Sequence, residues 1–217
     1  MTSPIVVGNE VYVYGVGEYR NSDIYLMKQS VANFGRNTGA EYFAGLRIYN
    51  AQVATPIWRP SESAAVPIVT DLIQNGQSIH SIGNLSVAFV RQLGLFVMTF
   101  DGGRTSPSTA GVYFTYSSYP AGPWAPPQLI YSASRDGGYG TFIRQAGPNG
   151  QGRGPAGPTI GNQATHNPQA TTGGTFAPEL IGRFCSVNGR TLRIYYTMST
   201  WNPYTVVLMH SDFNIRR

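Results

Sequence analysis

The chain has 217 residues, enough for one sizeable domain with its own core or for two small ones. Only 12% are charged, while 26 Gly, 15 Pro and 14 Tyr argue for short strands and tight turns and exclude a helical bundle or coiled coil. A hydrophobic fraction of 41% excludes a disordered chain, and the formal charge of +5 comes almost wholly from scattered arginines, a pattern against nucleic acid as partner.

Cys185 is the single cysteine, so no disulfide framework forms within the chain, and its apolar setting reads as a buried inert thiol. No stretch approaches the length of a membrane helix and no signal peptide is read at the start, so no membrane partner is expected. Asn84-Leu85-Ser86 matches the N-glycosylation sequon, which has meaning only in a eukaryotic secretory pathway.

Runs rich in β-branched and aromatic residues follow in chain order. Val11–Val16 and Asp23–Lys28 read as strands around a polar turn, and Phe43–Tyr49 and Thr55–Trp58 complete a first group. Leu85–Val90 and Leu95–Phe100 flank a turn at Gln92–Gly94, with Gly111–Tyr116 and Gln128–Tyr131 after them. A third group reads as Phe176–Phe184, Leu192–Met198 and Tyr204–His210, with a hairpin signal at Asn188-Gly189.

Three comparable groups, over about 4–70, 80–133 and 174–217, predict an all-β fold. They read as about three four-stranded antiparallel blades of a β-propeller, with a β-sandwich as the competing architecture. The Pro/Trp segments Trp58-Arg59-Pro60 and Ser118–Pro127 running into outermost strands favour the propeller. Residues 134–172 are Gly-, Pro-, Asn- and Gln-rich and read as a long loop, either a functional lid or a flexible segment.

Glycosidic hydrolysis commonly uses two carboxyl groups, and the chain offers ten acids in all. Glu10, Asp71, Asp136 and Asp212 read as turn formers, Glu41 and Glu62 as solvated charges, and Asp101-Gly102-Gly103 as a further turn. Glu179 opens an apolar strand where a propeller's channel would run, either reactive or paired with Arg183. Glu18 and Asp23 are its candidate catalytic partners. Tyr19, Arg20, Trp124, Tyr139, Trp201, Asn202 and Tyr204 lie at turns or strand ends and are the candidate saccharide-binding residues, since rings stack on sugar faces. His80, His166 and His210 show no metal-ligand spacing, so neither a metal nor another cofactor is expected. There is no G-x-S-x-G elbow and no P-loop.

The same residues carry a family resemblance. Gly189–Met209, with Tyr195-Tyr196-Thr197-Met198-Ser199-Thr200-Trp201-Asn202-Pro203-Tyr204 and then Val206-Val207-Leu208-Met209, resembles the closing blade of a secreted propeller family, the domain-of-unknown-function 4185 type. Phe89–Trp124 is similar to the preceding blade, and Val11–Leu26 to an earlier one. The family includes endo-D-arabinanases, so the resemblance implies an extracellular protein acting on a furanosidic polysaccharide such as D-arabinan.

Members of that family have five blades and open with an acidic segment in which the catalytic acids are expected. This chain has no counterpart of it and resembles the later blades, so no catalytic acid carries over onto its residues. Two readings stay open: a glycoside hydrolase, and a non-catalytic carbohydrate-binding or attachment protein. Three blades alone leave sheet edges uncovered, which a homo-oligomer or a further N-terminal part would cover.

Overall fold

The computed structural model describes residues 1–49, 54–70, 73–74, 77–78, 81–103, 109–157 and 167–215. The chain is all-β, and each of its sheets is antiparallel. The first sheet is a five-stranded meander of β1 (Thr2–Val7), β2 (Glu10–Val16), β3 (Ile24–Ser30), β4 (Glu41–Ile48) and β5 (Ala54–Arg59). The sheet has five strands where four were expected, the extra one being β1, in which Pro4 interrupts the strand pattern. Proline is tolerated there since β1 is an edge strand, with one side free of ladder bonds.

A short ribbon of β6 (Ile73–Gln74) and β7 (Gln77–Ser78) precedes the second sheet. That sheet is the meander of β8 (Leu85–Val90), β9 (Leu95–Gly102), β10 (Gly111–Ser117) and β11 (Gln128–Tyr131). A second ribbon, β12 (Gln145–Ala146) with β13 (Gly152–Arg153), lies in the long connection that follows. The connection is anchored where it is described: Ile143 is fully buried, and the buried Arg144 guanidinium donates to the carbonyls of Gly154 and Gln169.

The third sheet holds β14 (Gly174–Leu180), β15 (Ser186–Asn188), β16 (Thr191–Trp201) and β17 (Thr205–Asn214). The strand expected over Phe176–Phe184 ends at Leu180, and Gly182–Phe184 forms a 3-10 turn instead. Both β14 and β15 pair with β16, so the four strands make three rows. The Asn188-Gly189 signal is a tight hairpin, with Gly189 at φ +60 and Asn188 opposite Thr191.

The second sheet lies between the other two. One core joins Tyr14, Val16, Ile24, Leu26 and Phe43 of the first sheet to Leu85, Val87, Met98 and Phe100 of the second. The other joins Val97, Val112 and Phe114 to Ile194, Tyr196 and Met198 of the third. Hence β9, nearly continuous in apolar residues, is buried on both faces, whereas β16 alternates strictly between buried and half-buried positions. Hydroxyl groups stitch the leading strands together. Val87 N–H donates to Ser3 Oγ at 2.9 Å, Leu180 N–H to Ser86 Oγ at 3.0 Å, and Thr99 Oγ1 to the Pro178 carbonyl at 2.8 Å. Edge groups left by the ladders thereby find partners in the neighbouring sheet. Cys185 is buried in the second core, and burial pushes its thiol pKa up.

Candidate functional site

The ends of the three sheets converge on a cavity of about 590 Å³. The β2–β3 loop brings Tyr19 and Arg20, the segment before β8 brings Asn84, and the β11 exit brings Ser134 and Tyr139. The opening of β14 supplies Thr175 and Phe176, while Trp201 closes β16 and Tyr204 stands just before β17. Five of the seven expected binding residues, namely Tyr19, Arg20, Tyr139, Trp201 and Tyr204, therefore share one wall. Gly174 makes room for the Trp201 ring, because a Cβ there would stand 2.6 Å from the indole Nε1. Phe176 meets the Tyr204 ring edge-on at 6.1 Å.

Two expected binding residues lie elsewhere. Trp124 packs edge-on against Tyr14 at 5.9 Å, beside the first core, so its ring is spent on packing. Asn202 is fully buried, with its amide donating to the Pro168 and Thr171 carbonyls and its Oδ1 accepting from Gly157 N–H. It ties the long connection to the β16–β17 turn and presents no surface to a ligand.

None of the three candidate acids lines the cavity. Glu179 is exposed on β14, in register with Thr197, and Arg183 lies over the Phe184 ring instead of pairing with it. Glu18 is exposed and accepts a hydrogen bond from Asn21 Nδ2 at 2.7 Å. Asp23 is half-buried immediately before β3. Among the acids read as turns or solvated charges, Asp212 lies within β17 and pairs with Arg193 at 2.6 Å, and Glu41 opens β4 and pairs with Lys28 at 3.0 Å. Asp71, His80 and His166 fall outside the described residues. Among the described residues, no three His, Cys, Asp or Glu side chains gather as a metal site would require.

The carboxyl group nearest the cavity wall stands behind Arg20, outside the lining, in a segment that reads locally as a turn. Asp101 lies within β9, 1% exposed, on the face turned toward the third sheet. Its Oδ1 accepts from Asn84 N–H at 2.5 Å, and its Oδ2 contacts Arg20 Nη2 at 2.5 Å as an ion pair without the alignment of a hydrogen bond. Burial pushes its pKa up to about 6, against the pull of Arg20 and of the Asn84 and Ala177 backbone N–H groups. Gly83 is required beside it, since a Cβ there would stand 2.5 Å from Oδ2 and 2.7 Å from Oδ1. The missed signal was the run Leu95–Phe100: a strand that apolar, buried on both faces, extends its burial to the next residue. Arg20 adopts φ +60, and its N–H donates to the Ile82 carbonyl. Among the described lining residues it carries the sole charged side chain.

Residues 1–210 match the model of a family described as "Domain of unknown function (DUF4185)". The chain belongs to the DUF4185 family. No curated protein matches its sequence. Among solved structures, this DUF4185 chain is similar to an exo-beta-1,3-galactanase from Phanerochaete chrysosporium at 12% identity, over 98% of this chain and 38% of that one, with a TM-score of 0.43. It is also similar to an N-acetylgalactosamine deacetylase from F. plautii at 10% identity, over 97% and 48% of the two chains, with a TM-score of 0.42. A family 117 glycoside hydrolase from Zobellia galactanivorans matches at 13% identity over 98% and 51%, with a TM-score of 0.35. The DUF4185 chain thus spans between 38% and 51% of the length of these structures.

Proposed function

We propose that this chain forms the saccharide-binding wall of a glycoside hydrolase-like β-propeller, with a furanosidic polysaccharide such as D-arabinan as its ligand. The observation that carries this reading is the cavity wall, where Tyr19, Tyr139, Trp201 and Tyr204 stand with Arg20 and Asn84 at the shared end of three sheets. Rings bury sugar faces and the polar groups take hydroxyls, the usual division of labour in a ligand site. The propeller reading is supported by the face-to-face order of the sheets and by the stitching of their first strands. D-Arabinan is chosen from the resemblance to a family that includes endo-D-arabinanases.

On the enzymatic version, Asp101, buried behind Arg20, is the described carboxyl group nearest the wall, and its pKa is raised to about 6, but a general acid must also come within hydrogen-bond reach of the sugar. Hydrolysis then needs a second carboxyl group. A non-catalytic binding or attachment role is the second reading, favoured because no described acid lines the cavity.

Two measurements on the folded chain separate these. Native affinity electrophoresis in gels containing D-arabinan or L-arabinan reads binding, and chromatography of the incubated polymers reads cleavage. Retardation by D-arabinan that Trp201→Ala abolishes supports the site, and oligosaccharide products add the enzyme. Retardation without products leaves the binding protein. Neither retardation nor products, from a chain that unfolds cooperatively, would overturn the saccharide reading.

A further inference from the structure

Arg20 is held at the cavity from three directions. Its backbone N–H reaches the Ile82 carbonyl, its Nη2 contacts Asp101 and donates to the Thr175 carbonyl at 3.4 Å, and its Cζ lies 5.1 Å from the Tyr19 ring centre. These contacts leave Nε and Nη1 with no partner among the described residues, on a side chain only 16% exposed. Asn84, beside it in the wall, has a buried Oδ1 that likewise has no hydrogen-bond partner among them. A buried acceptor left unpaired is costly, and Asn84 Oδ1 is one, with the Arg20 donors standing beside it in the wall, so this corner of the cavity is arranged for an incoming group.

We propose that Arg20 is the specificity-determining residue of this cavity, taking two neighbouring oxygens of a neutral polyhydroxylated saccharide, and that Asp101 is the residue that positions it. The inference rests on the saccharide reading above and deepens it by naming the ligand's charge class and the group that reads it. The guanidinium is a rigid fork whose two N–H groups match a pair of adjacent oxygens. Oxygens of a carboxylate or phosphate would also satisfy the fork, yet an ionised one has no proton for Asn84 Oδ1. A hydroxyl group donates and accepts at once, and so answers both sides of the wall. Charge points the same way: ionised Asp101 already balances Arg20, leaving the pair neutral toward its ligand.

The positioning role has a pH signature. Asp101 faces Arg20 from the β2–β3 loop, the Asn84 N–H beside β8 and the Ala177 N–H of β14, and Arg20 is the charged side chain that acts on it among the described residues. Protonation as pH falls through about 6 removes the charge that holds Nη2, and the fork is released.

The test is calorimetric titration of the folded chain with neutral D-arabinofuranose oligosaccharides from D-arabinan and, in parallel, with anionic oligogalacturonate. Arg20→Met is expected to weaken neutral-ligand binding by about tenfold or more while the protein still unfolds cooperatively. Should Arg20→Met fail to fold, Arg20→Lys keeps the charge without the fork and is expected to bind weakly. In the wild type, affinity should fall as pH is lowered from 7 to 5, and Asp101→Asn should bind weakly at both pH values. A folded Arg20→Met that binds like the wild type, or tighter binding of oligogalacturonate than of the neutral ligand, overturns the inference. Loss of binding in Trp201→Ala but not in Arg20→Met sinks this inference alone. No binding of the neutral ligand by the wild type sinks the saccharide reading together with it.

Discussion

Arg20 Nη2 lies 2.5 Å from Asp101 Oδ2, an ion pair that joins the β2–β3 loop of the first sheet to the heart of the second. Arg20 then reaches the Thr175 carbonyl of the third sheet, so one side chain touches all three layers. Breaking such a pair from one side leaves the buried partner uncompensated, which costs more than the pair contributes when intact.

The raised Asp101 pKa sets a pH dependence of stability with a definite sign. Folding favours the protonated form, so the group's contribution is full below its ordinary value of 3.8 and is lost as pH rises through about 6. The change corresponds to about 3 kcal/mol. Urea unfolding of wild type and Asp101→Asn between pH 4 and 7 checks it. The wild type should lose ground against the variant as pH rises, and a constant difference would refute the assignment. Asp136 and Asp212, held below the usual carboxylate range by Arg135 and Arg193, act in the opposite sense but cancel in that comparison.

Gly83→Ala would force a methyl group onto the Asp101 carboxylate. Overpacking of this kind costs about 1–3 kcal/mol, or a fall of several degrees in Tm for a chain of this size. Thermal unfolding followed by circular dichroism gives the answer, with Gly94→Ala an unsuitable control because Gly94 has φ +64. Ala110→Gly, a small change in the cavity wall, is a better reference.

Gly174→Ala should act on the site more than on the fold. The added methyl group displaces the Trp201 indole from the wall, and retardation by D-arabinan should drop with it. Tryptophan fluorescence of the variant should shift in the absence of ligand. An unshifted spectrum with full retardation would contradict the placement of Trp201.

Asn202→Ala removes two donated hydrogen bonds and one accepted bond at a fully buried position. Carbonyls of Pro168 and Thr171 are left unpaired, at a cost of about 2–4 kcal/mol. Limited proteolysis should cut the variant within residues 167–172 faster than the wild type. Equal rates would mean that Asn202 does not anchor the connection.

Strand periodicity, turn residues and composition determined by themselves that this chain is all-β, because alternating burial and hairpin chemistry are local properties. The Val11–Val16, Leu85–Val90 and Gln128–Tyr131 elements follow directly from them. The sequence also marked Tyr19, Arg20, Tyr139, Trp201 and Tyr204 as strand-end residues, and the structure brings these five to one cavity.

Which polar residues are buried, and what they meet there, is set by contacts between the sheets. Asp101-Gly102-Gly103 reads as a turn when taken alone, since Asp and Gly are turn residues, and nothing local reveals that two other sheets cover it. Asn202 and Trp124 look like exposed tips for the same reason, until the long connection and the first core close over them. Burial depends on neighbours distant along the chain, and a pKa or an ion pair that depends on burial is therefore invisible to any local pattern.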